Sequence, residues 1–310
     1  MLKYTLKRIA EAFVVLFFVV TFTFFFIRLA PGGPFDTEKA VSEQVLKNLN
    51  ERYHLNDPIY VQYFDYVTSL AQLDFGPSFK YPNRTVNELI GTGLPVTLEL
   101  GIYAILFALL IGVSAGVFAG VRPNTWSDYI PMSLSMAGIC LPSVLLGPIL
   151  ALIFGIWLEL LPVSGWDGFS YKILPAITLG AAYAAYLARL SRSGMLETMN
   201  QDYIRTARAK GVPEKQVVFK HALKGAIIPV VSYLGPAIAG LLGGSFVVET
   251  VFNIPGLGRF YVQAAFNRDY TMIMGTTVLF ATFLVFMNLV SDILVVKLNP
   301  KLSFDEGAKA

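Results

Sequence analysis

Long apolar runs bounded by charges and turn residues dominate the chain. A helix needs about 20 such residues to cross about 30 Å of hydrocarbon. Six runs reach that length, at about 9–29, 100–121, 129–158, 173–190, 227–248 and 272–296. The pattern predicts an all-α integral membrane protein with six transmembrane helices. The first run follows Lys3, Lys7 and Arg8. Its charge-free stretch from Ala12 to Ile27 is long for a cleaved leader, so it reads as a retained anchor. The third run holds Pro142 and Pro148, which are expected to bend it so that it makes one crossing instead of two.

Composition agrees with the pattern. Of 310 residues, 55% are hydrophobic and only 15% charged, with a mean hydropathy of +0.59, which excludes two water-facing soluble domains. A net charge of +3 is too small for a nucleic-acid binder. One cysteine, Cys140, excludes an internal disulfide, and with only His54 and His221 as imidazoles soft metal ligands are scarce. Cys140 lies in an apolar run and reads as a small buried packing residue.

The placement of charge sets an orientation. With the N-terminus cytoplasmic, fifteen of the 24 Lys and Arg fall inside and nine outside, so both termini are expected in the cytoplasm. Residues 31–96 then form an extracytoplasmic insertion, expected to fold as a small cap, and residues 191–226 a basic cytoplasmic loop. Ionisable groups such as Glu99, Asp128 and Glu249 keep to the ends of the spans. No group stands mid-membrane to bind a coupling ion. Neutral polar residues within the spans, among them Thr178, Ser232, Ser245 and Thr276, could line a watery path or simply bond to backbone. Gly112, Gly116 and Gly120 share one helix face and predict a close contact, with a partner helix that the spacing leaves open.

In the basic loop, Met195, Met199, Tyr203 and Ala207 recur every four residues and predict an apolar stripe on a helix ending at Gly211, a left-handed cap. Pro213 can open a second short helix with Val218 and Ala222 on one face. The product is a helix-turn-helix elbow with small residues Ala207 and Ala209 near its tip, suited to a protein groove.

Thr206-Ala207-Arg208-Ala209-Lys210-Gly211 resembles the cytoplasmic coupling motif of binding-protein-dependent ABC importers. Arg205 stands where that family's glutamate would be, and the later Leu-Pro element is displaced to Ile228-Pro229, departures that resemble the peptide and nickel branch. Arg28 to Gly32, Tyr53 to Pro58, Asp74 to Phe79, Glu249 to Gly258 and Asn267 to Tyr270 extend the similarity to the B-type oligopeptide permeases over almost the whole chain. The resemblance implies the type I importer permease fold as a single domain, 1–310, in a bacterial inner membrane. It also implies a second homologous permease subunit, two cytoplasmic ATPase subunits holding ATP and magnesium, an extracytoplasmic peptide-binding protein and a peptide substrate. Surrounding lipid is the remaining partner, and no cofactor, catalytic residue or metal is expected on this chain. Residues 205–211 would couple to the ATPases. Glu249, Asn253, Pro255 and Gly256 would gate or dock at the outer end.

The residues independently lack a Gly-x-x-x-x-Gly-Lys-Ser/Thr phosphate loop and any His-Glu-x-x-His or nucleophile–base spacing. Import of dipeptides, haem or nickel by the same architecture, a self-sufficient secondary carrier and a structural scaffold stay as alternatives.

Overall fold

The structure is a computed structural model that describes residues 2–29, 32–35, 47, 48, 50, 51 and 53–298. Ala30, Pro31, Lys39, Arg52, Lys301, Lys309 and residues 36–46 of the expected cap lie outside these. Among the described residues the chain is helical, with one isolated β-bridge between Pro77 and Thr85. The elements are α1 Leu2–Leu29, α2 Ile59–Ala71, α3 Val86–Val121, α4 Trp126–Cys140, α5 Ser143–Trp157 and α6 Ser170–Met199. They continue as α7 Asp202–Ala209, α8 over 214–226, α9 Ile228–Val251, α10 Leu257–Asn267 and α11 Tyr270–Leu298.

Among the described residues, five helices (α1, α3, α6, α9 and α11) are each long and apolar enough to cross a membrane. The second crossing starts well before its apolar run. Thr85 Oγ1 accepts from the Glu88 N–H and the Glu88 carboxylate accepts from the Thr85 N–H, a capping box that starts α3 at Val86. The insertion therefore ends at Thr85 rather than near residue 96, and Pro95 lies within the helix.

The third crossing is broken rather than gently bent. α4 and α5 meet at 109°, and at about 22 Å each neither spans hydrocarbon alone. The break sits at Pro142, which drives Leu141 into extended backbone (φ −89°, ψ 111°), whereas Pro148 is carried inside α5. The pair still packs along the length of α6. Asp128 pairs with Arg192 near one end, Gly138 faces Ala181 and Ala185, and Gly147 faces Thr178 and Phe252 near the other. Cys140, expected to be buried, is exposed at this break, because α4 lies on the outside of the bundle and buries little beyond Asp128.

Contacts between helix ends fix which ends lie together. Arg8 pairs with Asp292, Ser291 Oγ donates to the Val231 carbonyl, and Gly194 abuts Ala226. The start of α1, the end of α11 and the α7–α8 elbow thus share one end of the bundle. α2, α10 and the described cap residues occupy the other, where Asp269 accepts from Ser78 Oγ (2.5 Å) and the Phe79 N–H (3.2 Å) and so ties cap to α11.

The helix that receives the three-glycine face is α6. A Cβ at Gly112 would collide with the Ala184 carbonyl and one at Gly116 with the Ala188 carbonyl, while one at Gly120 would sit 2.5 Å from Met195 Cβ. α6 answers with Gly180, whose Cβ would lie 2.6 Å from the Ala104 carbonyl. Thr178, Ser232, Ser245 and Thr276 each donate to a carbonyl three or four residues back in their own helix.

Gly116→Leu is expected to destabilise the protein by about 1–3 kcal/mol through overpacking. Gly243→Ala, where nothing lies within 4 Å, is expected to be neutral or stabilising by up to about 1 kcal/mol. Thermal unfolding in detergent compares the two.

Candidate functional site

The elbow is built against α6 and α3, not suspended from them. α6 ends at Met199, the chain turns at Asn200 and Gln201, and α7 begins at Asp202. The four-residue stripe is therefore split over two helices. Met195, Ile204, Ala207, Val217, Val218, Ala222 and Ala226 bury together with Val117 of α3. Ala207 belongs to this core at 8% exposure, so it anchors the elbow from within and is not displayed at the tip. Tyr203, expected on the same stripe, is 48% exposed.

The turn is set by Gly211. Its φ of +77° is the left-handed conformation that glycine adopts without a Cβ penalty, and the Val212 N–H reaches back to the Ala207 carbonyl at 3.2 Å. Across it, Arg208 grips Glu214 with one edge of its guanidinium, Nη2 to Oε1 at 2.7 Å and Nε to Oε2 at 3.2 Å. That hydrogen bond holds the Glu214 carboxyl below its ordinary value and raises Arg208. Arg205, Thr206, Arg208, Ala209, Lys210 and Gly211 are all exposed, so the surface offered by the elbow is a cationic ridge around one small residue.

A strut absent from the sequence-derived site sits at the elbow's base. Arg192 on α6 donates to both oxygens of Asp128 on α4, at 2.5 and 2.6 Å, and Asp128 also accepts from the Asn124 N–H. Asp128 is 2% exposed, and removing one partner of such a pair strands the other charge. Asp128 stands at a predicted span end and Arg192 in the predicted cytoplasmic loop, and their separation by 64 positions carries no sequence signal for the pairing.

At the opposite end the structure unites Glu249 and Gly256. The Glu249 side chain is fully buried near the end of α9. One oxygen accepts from Thr97 Oγ1 on α3 at 2.7 Å, and the other from the Arg259 N–H at 3.2 Å, in the first turn of α10. A helix N-terminus favours this negative charge. Thr97 in turn accepts from the Leu257 N–H at 2.8 Å, completing a relay that binds α3, α9 and α10. A Cβ at Gly256 would collide with the carboxyl group. Asn253, at φ +52°, and Pro255 are instead exposed on the loop surface and leave the carboxylate untouched. Thr97 escaped the sequence reading because a lone threonine in an apolar helix has no distinguishing pattern.

These features define a polytopic helical membrane protein with a compact cationic elbow at one end and a hydrogen-bonded loop around Glu249 at the other. The family described as binding-protein-dependent transport system inner membrane component matches residues 112–304, and its N-terminal counterpart matches residues 1–101. The chain belongs to that family, as a multi-pass protein of the bacterial inner membrane that serves as the permease component of an ABC importer. It is 45% identical to the oligopeptide transport system permease protein OppB of Haemophilus influenzae and 46% identical to that of Salmonella typhimurium. In both cases the match covers 98% of this chain and 100% of the relative. The dipeptide transport system permease protein DppB of Bacillus subtilis is 40% identical over 97% of this chain and 98% of its own length. Among solved structures, the inward-facing MetNI methionine ABC transporter shares the fold, with a TM-score of 0.57 at 21% identity over 68% of this chain and 96% of that one.

The Arg208–Glu214 clamp is expected to be intact at neutral pH and to be lost as pH falls below the ordinary Glu range, since the folded-state value is the depressed one. At neutral pH, Glu214→Gln is expected to cost about 0.2–1 kcal/mol, as for other exposed pairs. Amide exchange in 202–222 measures both, and faster exchange confined to the elbow is the expected result.

Proposed function

We propose that this chain is the membrane permease subunit of an ATP-driven peptide importer, with oligopeptides as cargo. The observation that carries the reading is end-to-end similarity to the oligopeptide permease proteins at 45–46% identity, with the elbow built as one solid piece with α6. The dipeptide permease relative, at 40%, supports dipeptides as the second reading.

In this proposal the elbow faces the cytoplasm, as the bias of Lys and Arg toward that end supports. Two ATPase subunits holding ATP and magnesium grip the ridge of Arg205, Thr206, Arg208, Ala209, Lys210 and Gly211. The chain itself performs no catalysis. A second homologous permease completes the pathway, and a peptide-binding protein delivers cargo to the outer face. Because α7 and α8 share a core with α6 and α3, a push on the elbow moves those helices as a body, which suits alternating access. The Asp128–Arg192 strut carries the same push into the broken α4–α5 crossing. At the outer end, the Glu249 relay to Thr97 and α10 is the latch that such a motion must keep or release. The neutral span interiors suit cargo of variable charge, since a fixed charge would reject like-charged side chains.

Reconstituted with its partners, Ala209→Trp is expected to lower binding-protein-stimulated ATP hydrolysis by about tenfold, within the usual range of coupling energies. The amount of chain in the membrane should not change, because Ala209 is exposed. Uptake by vesicles holding this chain alone under an ion gradient would overturn the reading.

A further inference from the structure

α1 stands at the periphery of the bundle, packed on α11 and the cap, with Phe22, Phe25 and Phe26 exposed on its outer face. At its end, where the helix leaves the apolar zone, a cavity of about 230 Å³ opens between α1, α2, α11 and the cap. Arg28 lines it. Its guanidinium lies 3.5 Å over the Phe24 ring, and Nε and Nη2 share the Gln62 amide oxygen. Nη1 donates to the Phe24 carbonyl in the last helical turn. The C-terminal end of α1 as a whole offsets about half a charge through the helix dipole, and among the described residues no carboxylate pairs with Arg28. The amide nitrogen of Gln62 is spent on the carbonyls of Leu55 and Asp57, which fixes the oxygen in place for Arg28.

A second group on the same wall is unpaired. The Tyr66 hydroxyl is buried and has no hydrogen-bond partner among the described residues. Burial pushes its ionisation well above the usual phenol range, so it stands as a neutral donor. An orphaned buried hydroxyl is unfavourable unless something completes it. The remaining walls are apolar, including Phe75, Phe79 and Met274. Asp65 and His54 line the cavity with exposed side chains, and His54 is 3.3 Å from Asp57.

We propose that this cavity binds the headgroup of a zwitterionic phospholipid, with the phosphodiester held by Arg28 and Tyr66 and the headgroup ammonium beside Asp65. The phosphate supplies the counter-charge that Arg28 lacks and the acceptor that the Tyr66 hydroxyl lacks, and the ammonium pairs with Asp65 at the mouth. The lipid-facing Phe ridge of α1 lies alongside for an acyl chain. A peptide carboxylate fits less well, because α1 is remote from the α3–α6–α9 core. The proposal is independent of the cargo.

The test is native mass spectrometry of the purified complex, supplied with phosphatidylethanolamine, phosphatidylglycerol or inorganic phosphate, alongside thermal unfolding. The intact chain is expected to retain one phosphatidylethanolamine, and Arg28→Gln to weaken retention about tenfold, as loss of a charge-assisted hydrogen bond implies. Tyr66→Phe should unfold at the same or a higher temperature without lipid, yet gain less from adding it. Inorganic phosphate should not compete. Equal retention by both variants and the intact chain would overturn the site. Equal retention of phosphatidylglycerol would overturn the ammonium contact, and displacement by inorganic phosphate would reassign the cavity to a free anion.

Discussion

Helices surrounded by hydrocarbon gain nothing from hiding apolar side chains from one another, so their association rests on how closely their backbones can approach. Here that approach is made by α6. Gly112, Gly116 and Gly120 of α3 lie on its Ala184, Ala188 and Met195 positions, and Gly180 and Gly194 of α6 lie on Ala104 and Ala226. α4, α5 and α9 also pack on it. The two ends of the molecule inherit their geometry from this seam. The elbow core contains Met195 of α6 and Val117 of α3, and the Glu249 relay runs from α9 to Thr97 on α3.

Polar bonding is concentrated at those ends. Near the elbow stand the Asp128–Arg192 strut and the Arg208–Glu214 clamp. At the other end stand the Glu249 relay, the Lys172–Glu99 pair and the Asp269 knot. Between them, several span hydroxyls are satisfied by their own helix. Tight backbone contact along the length of the bundle and specific polar ties at its ends join the two ends through α3 and α6. Each tie is a place where two arrangements could be distinguished by one or two hydrogen bonds.

The spans, the charge-poor interior and the elbow with its glycine turn were legible, because each follows from a local requirement. Hydrocarbon thickness sets the run length, and a left-handed residue after a helix asks for glycine. Boundaries were less legible: the polar first turns of α3 are helical because of the Thr85–Glu88 box and the packing of Val86 and Leu89, which hydropathy cannot register. The orientation of Ala207 was misjudged for a similar reason. A small residue in a basic loop suits an exposed tip or a tight core equally, and only the arrival of Val117, Val217 and Ala222 around it decided for the core. Cys140 went the other way, since an apolar neighbourhood along the chain does not place α4 inside the bundle.

By itself, the sequence determined that this protein lives in a membrane, is built from long apolar helices and presents one basic elbow. Composition, run length and motif residues suffice for those statements. The tertiary structure decided which helix the glycine face meets, that the third crossing breaks at 109°, and that Thr97 completes the Glu249 relay. It also set Arg28 and Tyr66 on one cavity wall. These are contacts between residues tens to hundreds of positions apart, and no periodicity encodes the meeting of two side chains that only packing brings together.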